Sequence, residues 1–154
     1  MTDAVPRAVV EAFYRAYVSR DPQRIGALLD DDVEWHVAGP AGVMQVCGLW
    51  RGKAAVIDRF ARQVPPIIDF KSLEPGSLLV DGDRSALLGR VTSLHRQTGR
   101  LISHRVAHFV RYRDEKVISY CSLTDSLDAA EQFMNRRIDL ATEAAPATGD
   151  VYVI

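Results

Sequence analysis

Apolar residues recur at helical spacing in the first part of the chain. Over residues 5–19 they fall on one helical face, which predicts an amphipathic helix. Asp21 followed by Pro22 places a capping side chain before a proline at the first helical position, and this predicts a short second helix through Leu29. A third helix is expected at about 53–64, because a proline pair follows and removes backbone donors.

The period changes to two residues in the other segments. Residues 33–39 alternate apolar and polar positions and predict a first strand. Further strands are predicted at about 67–74, 76–81, 84–96, 100–113 and 116–125, joined by short turns in an antiparallel meander. Helical spacing returns over 126–136, where Asp125 or Ser126 is expected to cap the last helix.

This order of elements predicts an α+β domain over residues 1–138. Long twisted strands curl, so the three N-terminal helices are expected to pack into the concave side of the sheet and to leave an internal pocket at its open end. Residues 139–154 are rich in Ala, Thr, Pro and Gly and are expected to form a loosely ordered tail.

Composition excludes several classes of partner. The 19 basic and 20 acidic side chains give a formal charge of -1, which offers no surface for nucleic acid. Apolar runs such as Leu78-Leu79-Val80 are too short to cross a bilayer, so no membrane partner is expected. The N-terminal segment lacks a signal pattern, and Cys47 and Cys121 are interpreted as free thiols, so a cytoplasmic location is expected.

Three segments carry a family resemblance. They are EAFYRAYVSRDPQRIGALLDDDVEWHVAG (11–39), GLWRGKAAVIDRF (48–60) and HFVRYRDEKVISYCSLTDSLDAAEQ (108–132). In this order they resemble the SnoaL-like, ketosteroid-isomerase-like branch of the NTF2-like superfamily, over about residues 5–137. The resemblance implies a cone-shaped domain with an internal pocket, and commonly a homodimer through the outer face of the sheet. This fold carries isomerases, dehydratases, hydrolases, cyclases and binding modules, so function has to come from the pocket residues.

The ketosteroid isomerase set of catalytic residues is absent. That chemistry uses an aspartate base, with a tyrosine and a protonated aspartate as hydrogen-bond donors. By resemblance, Val37 stands at the position of the base and Phe13 at that of the donor tyrosine, with Tyr17 close by in sequence. The donor aspartate position falls on His108 or Ala107. Because valine cannot accept a proton, ketosteroid isomerase chemistry by the usual route is not expected.

The catalytic set of limonene-type epoxide hydrolases is also incomplete. Their Asp-Arg-Asp residues correspond by resemblance to Thr92, Arg90 and Ser122. Only the arginine remains, and arginine alone is neither acid nor base at neutral pH.

A different polar set remains for the predicted pocket. Alternation along strand 100–113 places His104 and His108 on the inward face and the Arg105, Phe109 and Arg111 side chains on the outer face. Each histidine is either an acid–base group or a hydrogen-bonded core residue. Arg90 is either an anion clamp or part of an internal ion pair. The residues predicted to bind the ligand are Phe13, Tyr17, Trp35, Val37, Arg90, Thr92, Tyr120 and Ser122.

The sequence therefore predicts a SnoaL-like enzyme that transfers a proton on a mostly apolar, cyclic substrate. The reaction would be an isomerisation, a dehydration or a hydrolysis, with His108 or His104 as the acid–base group. The alternative is a non-catalytic module that binds a small ligand or serves dimerisation. No metal or cofactor is expected, since the histidines lack metal-ligand spacing and no glycine-rich phosphate loop is present. An exposed Phe109 favours a homodimer through the outer face.

Overall fold

A computed structural model describes residues 4–139, so the predicted tail lies outside the described residues apart from Asp139. The elements, in chain order, are α1 (Arg7–Ser19), α2 (Pro22–Gly26), β1 (Leu29–Val37), β2 (Gly48–Arg51), α3 (Lys53–Asp58) with a π-helical turn (Arg59–Gln63), β3 (Ile68–Asp81), β4 (Arg84–His95), β5 (Arg100–Arg113), β6 (Lys116–Thr124) and α4 (Ser126–Met134). The predicted α+β class is confirmed.

Local sequence signals explain two of the helix starts. The Asp21 carboxylate accepts hydrogen bonds from the backbone N–H groups of Gln23 and Arg24, so it caps α2 as predicted. Asp125 occupies the position before α4, but its side chain makes no cap hydrogen bond. Its carboxylate instead lies 3.6 Å from the Arg105 guanidinium. The prediction that Asp125 caps α4 with its side chain is therefore wrong.

The six strands form one sheet in the order β2-β1-β6-β5-β4-β3. The strands β3 to β6 form the predicted antiparallel meander, and β1 pairs antiparallel with β2. The parallel pairing of β1 with β6 was not predicted. Strand β2 was not predicted, and the two strands predicted at 67–74 and 76–81 are a single strand, β3. Its pairing with β4 shifts register between Pro75 and Ser77, and a bulge of this kind bends a strand without ending it.

Two apolar clusters fill the concave side of the sheet. The larger one joins α1, α2 and α3 to the sheet through residues that include Val10, Phe13, Ile25, Trp35 and Tyr120. The smaller one joins α4 and the loop after β1 to the sheet through residues that include Met44, Val46, Ile102, Ala129 and Phe133. Side chains from both clusters surround one internal space, which is the pocket described below.

Two further observations concern residues 4–139 only. No helix in this range is long and apolar enough to cross a membrane. Cys47 is buried, Cys121 is half-buried, and neither forms a disulfide. The described fold is therefore held by its apolar clusters and its sheet hydrogen bonds.

Candidate active site

The internal space, which we call the cone pocket, lies where the two apolar clusters meet. Its volume is about 70 Å³. Sites for drug-sized ligands usually measure roughly 300–1,000 Å³, so a ligand of more than a few heavy atoms has to displace side chains of the wall. Most of the wall is apolar or aromatic and includes Tyr17, Trp35, Val37, Met44, Phe70, Val91, Ile102, Val106, Tyr120 and Phe133.

His108 is the most deeply buried polar residue of the cone pocket, with 1% of its surface exposed. It lies on β5 opposite Ser122 of β6, and neither of its ring nitrogens has a hydrogen-bond partner. Its ring centroid is 5.1 Å from that of Tyr120 and 5.5 Å from that of Tyr17. Buried polar groups normally have partners, so this imidazole is available to a ligand.

Burial also determines the charge of His108. It lowers the pKa of the imidazole to about 3, so the ring is neutral over the physiological pH range. A neutral imidazole carries one donor nitrogen and one acceptor nitrogen. His108 can therefore accept a proton from a ligand at one nitrogen or donate a hydrogen bond from the other.

His104 lies two inward positions before His108 on β5 and also lines the cone pocket. It is half-buried, and burial lowers its pKa. Its Nδ1 atom lies 3.4 Å from the backbone carbonyl oxygen of Arg105. The prediction that both histidines face the interior is confirmed by their place in the wall, and His108 has the more enclosed position.

Two arginines that the sequence analysis did not select also line the cone pocket. Arg59, in the π-helical turn, is only 5% exposed, and its Nη2 donates a hydrogen bond to the backbone carbonyl oxygen of Val46 at 3.0 Å. Its guanidinium stacks on the ring of Trp50, while its Nε atom has no partner. Burial first, and then the positive charge of Arg20, lower the pKa of Arg59 to about 10. Arg59 is thus still protonated at neutral pH.

The spacing along α3 contained a signal for Arg59. Val56, Arg59 and Phe60 stand at positions i, i+3 and i+4 and are all buried, whereas Ile57 is only half-buried. An arginine at an inward position of the helix is the sequence feature that could have identified Arg59 as a pocket residue. The backbone changes from α-helical to π-helical at this residue, a feature often found at functional sites.

The cone pocket carries positive charge and no acidic group. None of its wall residues is Asp or Glu. Within residues 4–139, no cluster of three or more His, Cys, Asp or Glu side chains could hold a metal ion. The chemistry available in the described wall is therefore that of imidazole, phenol, hydroxyl and guanidinium groups.

Comparison of the sequence with models of protein families identifies the family to which this chain belongs. Residues 10–120 match the model of the SnoaL-like domain. The chain belongs to the SnoaL-like family. A comparison with curated proteins found no match.

Solved structures show the same fold as this SnoaL-like chain. A candidate isomerase from Rhodopseudomonas palustris is 25% identical, with a TM-score of 0.75, and the match covers 83% of this chain and 97% of that one. An NTF2-like protein from Burkholderia thailandensis is 26% identical, with a TM-score of 0.71 and coverage of 84% and 97%. An LEH-like epoxide hydrolase from M. tuberculosis is 16% identical, with a TM-score of 0.66 and coverage of 83% and 88%, and shows likeness of fold alone.

Most of the predicted ligand-binding residues of this SnoaL-like domain lie in the wall of the cone pocket. They are Tyr17, Trp35, Val37, Tyr120 and Ser122. Phe13 does not line the pocket. Its ring is buried behind the wall, with its centroid 6.2 Å from that of Trp35 and 6.1 Å from that of Tyr120. Phe13 thus packs against two wall residues and does not face the cone pocket, contrary to the expected position.

Arg90 and Thr92 lie on the outer face of the sheet, so the prediction that they face the pocket is wrong. The register of β4 against β5 pairs Arg90 with Arg105, whereas Val91 pairs with the inward-facing His104. Arg90 is exposed and its Nη1 donates to the Ser103 hydroxyl at 3.3 Å. A strand that is shifted by one residue presents its opposite face. Val91 and Ser93 consequently line the pocket in their place.

Proposed function

We propose that this SnoaL-like protein is an enzyme that transfers a proton on a small, mostly apolar molecule such as a cyclic ketone. The observation that carries the proposal is His108, an imidazole enclosed in an apolar pocket with both ring nitrogens unpartnered. A proton would move from a substrate carbon to the acceptor nitrogen of His108 and return at another position, as in an isomerisation. If His108 instead returned the proton to a hydroxyl group on the neighbouring carbon, that group would leave as water and the reaction would be a dehydration.

The phenol groups beside His108 support this chemistry. Burial raises the pKa of Tyr120 well above its ordinary value, and the neighbouring Tyr17 adds to the effect. A phenol that stays protonated can donate a hydrogen bond to the oxyanion that forms when a proton leaves the carbon next to a carbonyl. Ser122, opposite His108 on β6, is placed to orient a polar substituent. His104 is the second candidate for the acid–base role.

The alternative is a binding module without catalysis, and one observation favours it. A pKa of about 3 makes His108 a weak base, and no described wall residue is a carboxylate that could replace it. In that case His108 would only hydrogen-bond the ligand.

Comparing the turnover of a His108→Leu variant with that of the wild type distinguishes an enzyme from a binding module. Compounds that raise the melting temperature of the wild type would be followed by NMR for conversion. For an enzyme, the variant loses about 100-fold or more of the conversion rate, as expected for removal of a general acid–base group. His36→Leu, on an exposed position of β1, is the matched control and should convert the compounds at the wild-type rate. Conversion that is unchanged in His108→Leu, or compounds that bind to the wild type but are never converted, would contradict the enzymatic proposal.

We propose that the protein forms a homodimer through the outer face of the sheet. Phe109 and Leu88 are 52% and 54% exposed there, and Leu123 is also exposed. The strand register pairs Ala107 with both Leu88 and Leu123, so these side chains form one apolar patch. Large exposed apolar patches commonly mark interaction sites.

Light scattering tests the dimer. The wild type is expected at twice the mass of the chain, and Phe109→Glu is expected to give a monomer because it buries a charge in the interface. Val18→Glu, which changes an exposed residue of α1, serves as a control and should remain dimeric. A monomeric wild type would contradict the proposal.

We further propose a cytoplasmic location. The free thiols of Cys47 and Cys121 support it, because exported proteins of this size commonly oxidise such residues. Fractionation of the source cells, with detection of the protein in the reducing compartment, is the test, and recovery from an oxidising compartment would contradict it.

A further inference from the structure

We propose that the cone pocket binds its ligand through a carboxylate group, which Arg59 holds with Arg20 nearby. The proposal rests on the proposed function of the cone pocket as a small-molecule site and specifies the class of molecule. Its basis is a positive charge that is buried in the pocket without a negative partner among residues 4–139.

Arg59 has unused hydrogen-bonding capacity. Its guanidinium has five N–H donors, of which one is bonded to the Val46 carbonyl oxygen, and the Nε donor is buried without a partner. Stacking on Trp50 and Phe60, with the guanidinium carbon 4.6 Å and 5.2 Å from the ring centroids, covers its faces but does not satisfy its N–H groups. Buried arginines are normally paired with an anion because the uncompensated charge is costly. A ligand anion would supply the missing partner.

Arg20 adds a second positive charge at the same end of the cone pocket. Its guanidinium carbon lies 4.4 Å from the centroid of Phe60 and 4.8 Å from that of Phe70. Both arginines therefore lie close to the ring of Phe60, and the charge of Arg20 lowers the pKa of Arg59. The repulsion between two nearby cations is offset when an anion binds close to both. No Asp or Glu belongs to the described wall, so a ligand anion would supply that negative charge.

The shape and polarity of the cone pocket favour a carboxylate over a larger anion. The cavity is small, and most of the wall beyond the arginines is formed by apolar and aromatic residues that include Val91, Ile102 and Phe133. The flat arginine fork matches a carboxylate through two parallel hydrogen bonds. The ligand we infer is thus a small carboxylic acid with an apolar body, whose acid group points to Arg59 and whose body extends towards His108.

Binding of matched acids and amides tests the inference. Benzoate with benzamide, and acetate with acetamide, differ little in shape within each pair, and chloride would hold the ionic strength constant. Affinities would come from calorimetry and from the ¹⁵N-detected Nε–H signal of Arg59. We expect the wild type to bind benzoate at least 10-fold more tightly than benzamide, and the Arg59 signal to shift on titration with benzoate.

Variants of Arg59 test whether this side chain causes the preference for benzoate over benzamide. Arg59→Met is expected to remove the preference for the acid, Arg59→Lys to reduce it, and Arg90→Met, on the outer face, to leave it unchanged. If Arg59→Met does not fold, Arg20→Gln and Arg59→Lys provide the comparison, and each should weaken benzoate binding without affecting benzamide.

Three results would overturn the proposal. They are equal affinity for acid and amide in the wild type, binding of neither acid at millimolar concentration, and a preference for the acid that is as strong in Arg59→Met and Arg59→Lys as in the wild type. If the same protein converted a neutral ketone, the proposed enzymatic function would still be supported, although the carboxylate proposal would be contradicted.

Discussion

Replacement of His108 by leucine is expected to stabilise the protein, and to do so more strongly as the pH falls. The reason is the buried imidazole, which has no hydrogen-bond partner and a pKa of about 3 in the folded state. In the unfolded chain the same imidazole titrates at about 6.5. Below that pH the unfolded state binds a proton that the folded state does not, so stability declines as the pH falls from about 6.5 towards 3.

The size of the effect follows from the two pKa values. Each pH unit within this window removes about 1.4 kcal/mol of unfolding free energy, so His108 costs the wild type about 2 kcal/mol between pH 6.5 and pH 5. Leucine does not titrate and has a similar bulk, so His108→Leu should lack this part of the pH dependence. The gain in stability would accompany a loss of activity, as is common when a functional polar group is removed from a pocket.

Urea unfolding at pH 7.5, 6.5 and 5.0 measures this difference. The unfolding free energies of wild type and His108→Leu should diverge towards pH 5.0, whereas His36→Leu should follow the wild type. Parallel curves for wild type and His108→Leu would show that His108 titrates normally and is not enclosed as described.

Among the substitutions considered for this protein, replacement of Trp35 by alanine is expected to lower the unfolding free energy most, by about 3–5 kcal/mol. The indole ring is fully buried, stacks on Tyr120 at a centroid distance of 3.8 Å and meets the edge of Phe60 at 5.4 Å. Truncation to alanine leaves a cavity between the helices and the sheet, next to the cone pocket. The loss combines apolar transfer free energy with the cavity that remains.

Chemical denaturation and ligand rescue test the role of Trp35. Leu79→Ala, at a side chain that is 67% exposed, is the control and should change the unfolding free energy by less than about 0.5 kcal/mol. Added indole should partly restore the melting temperature of Trp35→Ala, since apolar cavities bind apolar molecules of matching shape. A loss below about 1 kcal/mol would contradict the placement of Trp35 in the core.

Local periodicity predicted those elements whose faces differ clearly in polarity. Strand β5 has the predicted bounds, Arg100–Arg113, because its arginines alternate with apolar and histidine positions. The same alternation placed His104 and His108 inward. Strand β4 is different, because Leu87 and Leu88 are adjacent and polar residues stand on both of its faces. Hydrophobicity alone does not set its phase, and the register with β5 decides it.

Features that depend on contacts between distant segments were not predictable from local patterns. The parallel pairing of β1 with β6 joins segments that are far apart in sequence, from Leu29 opposite Val117 to Val37 opposite Ser122. The burial of Arg59 similarly depends on the loop that contains Val46, whose carbonyl oxygen accepts its hydrogen bond. The histidine part of the candidate site could thus be predicted from the sequence. The spacing of Val56, Arg59 and Phe60 indicated an inward arginine, but its contact with the loop at Val46 required the tertiary structure.

Solvent-deuterium incorporation is the most direct test of proton transfer in the cone pocket. Compounds that raise the melting temperature would be incubated with the protein in D₂O, and mass spectrometry would follow deuterium on their carbon atoms. We expect incorporation with the wild type and with His36→Leu, at a rate that falls by about 100-fold or more in His108→Leu. Tight binding without deuterium incorporation, or incorporation by His108→Leu at the wild-type rate, would contradict the assignment of His108 as the group that moves the proton.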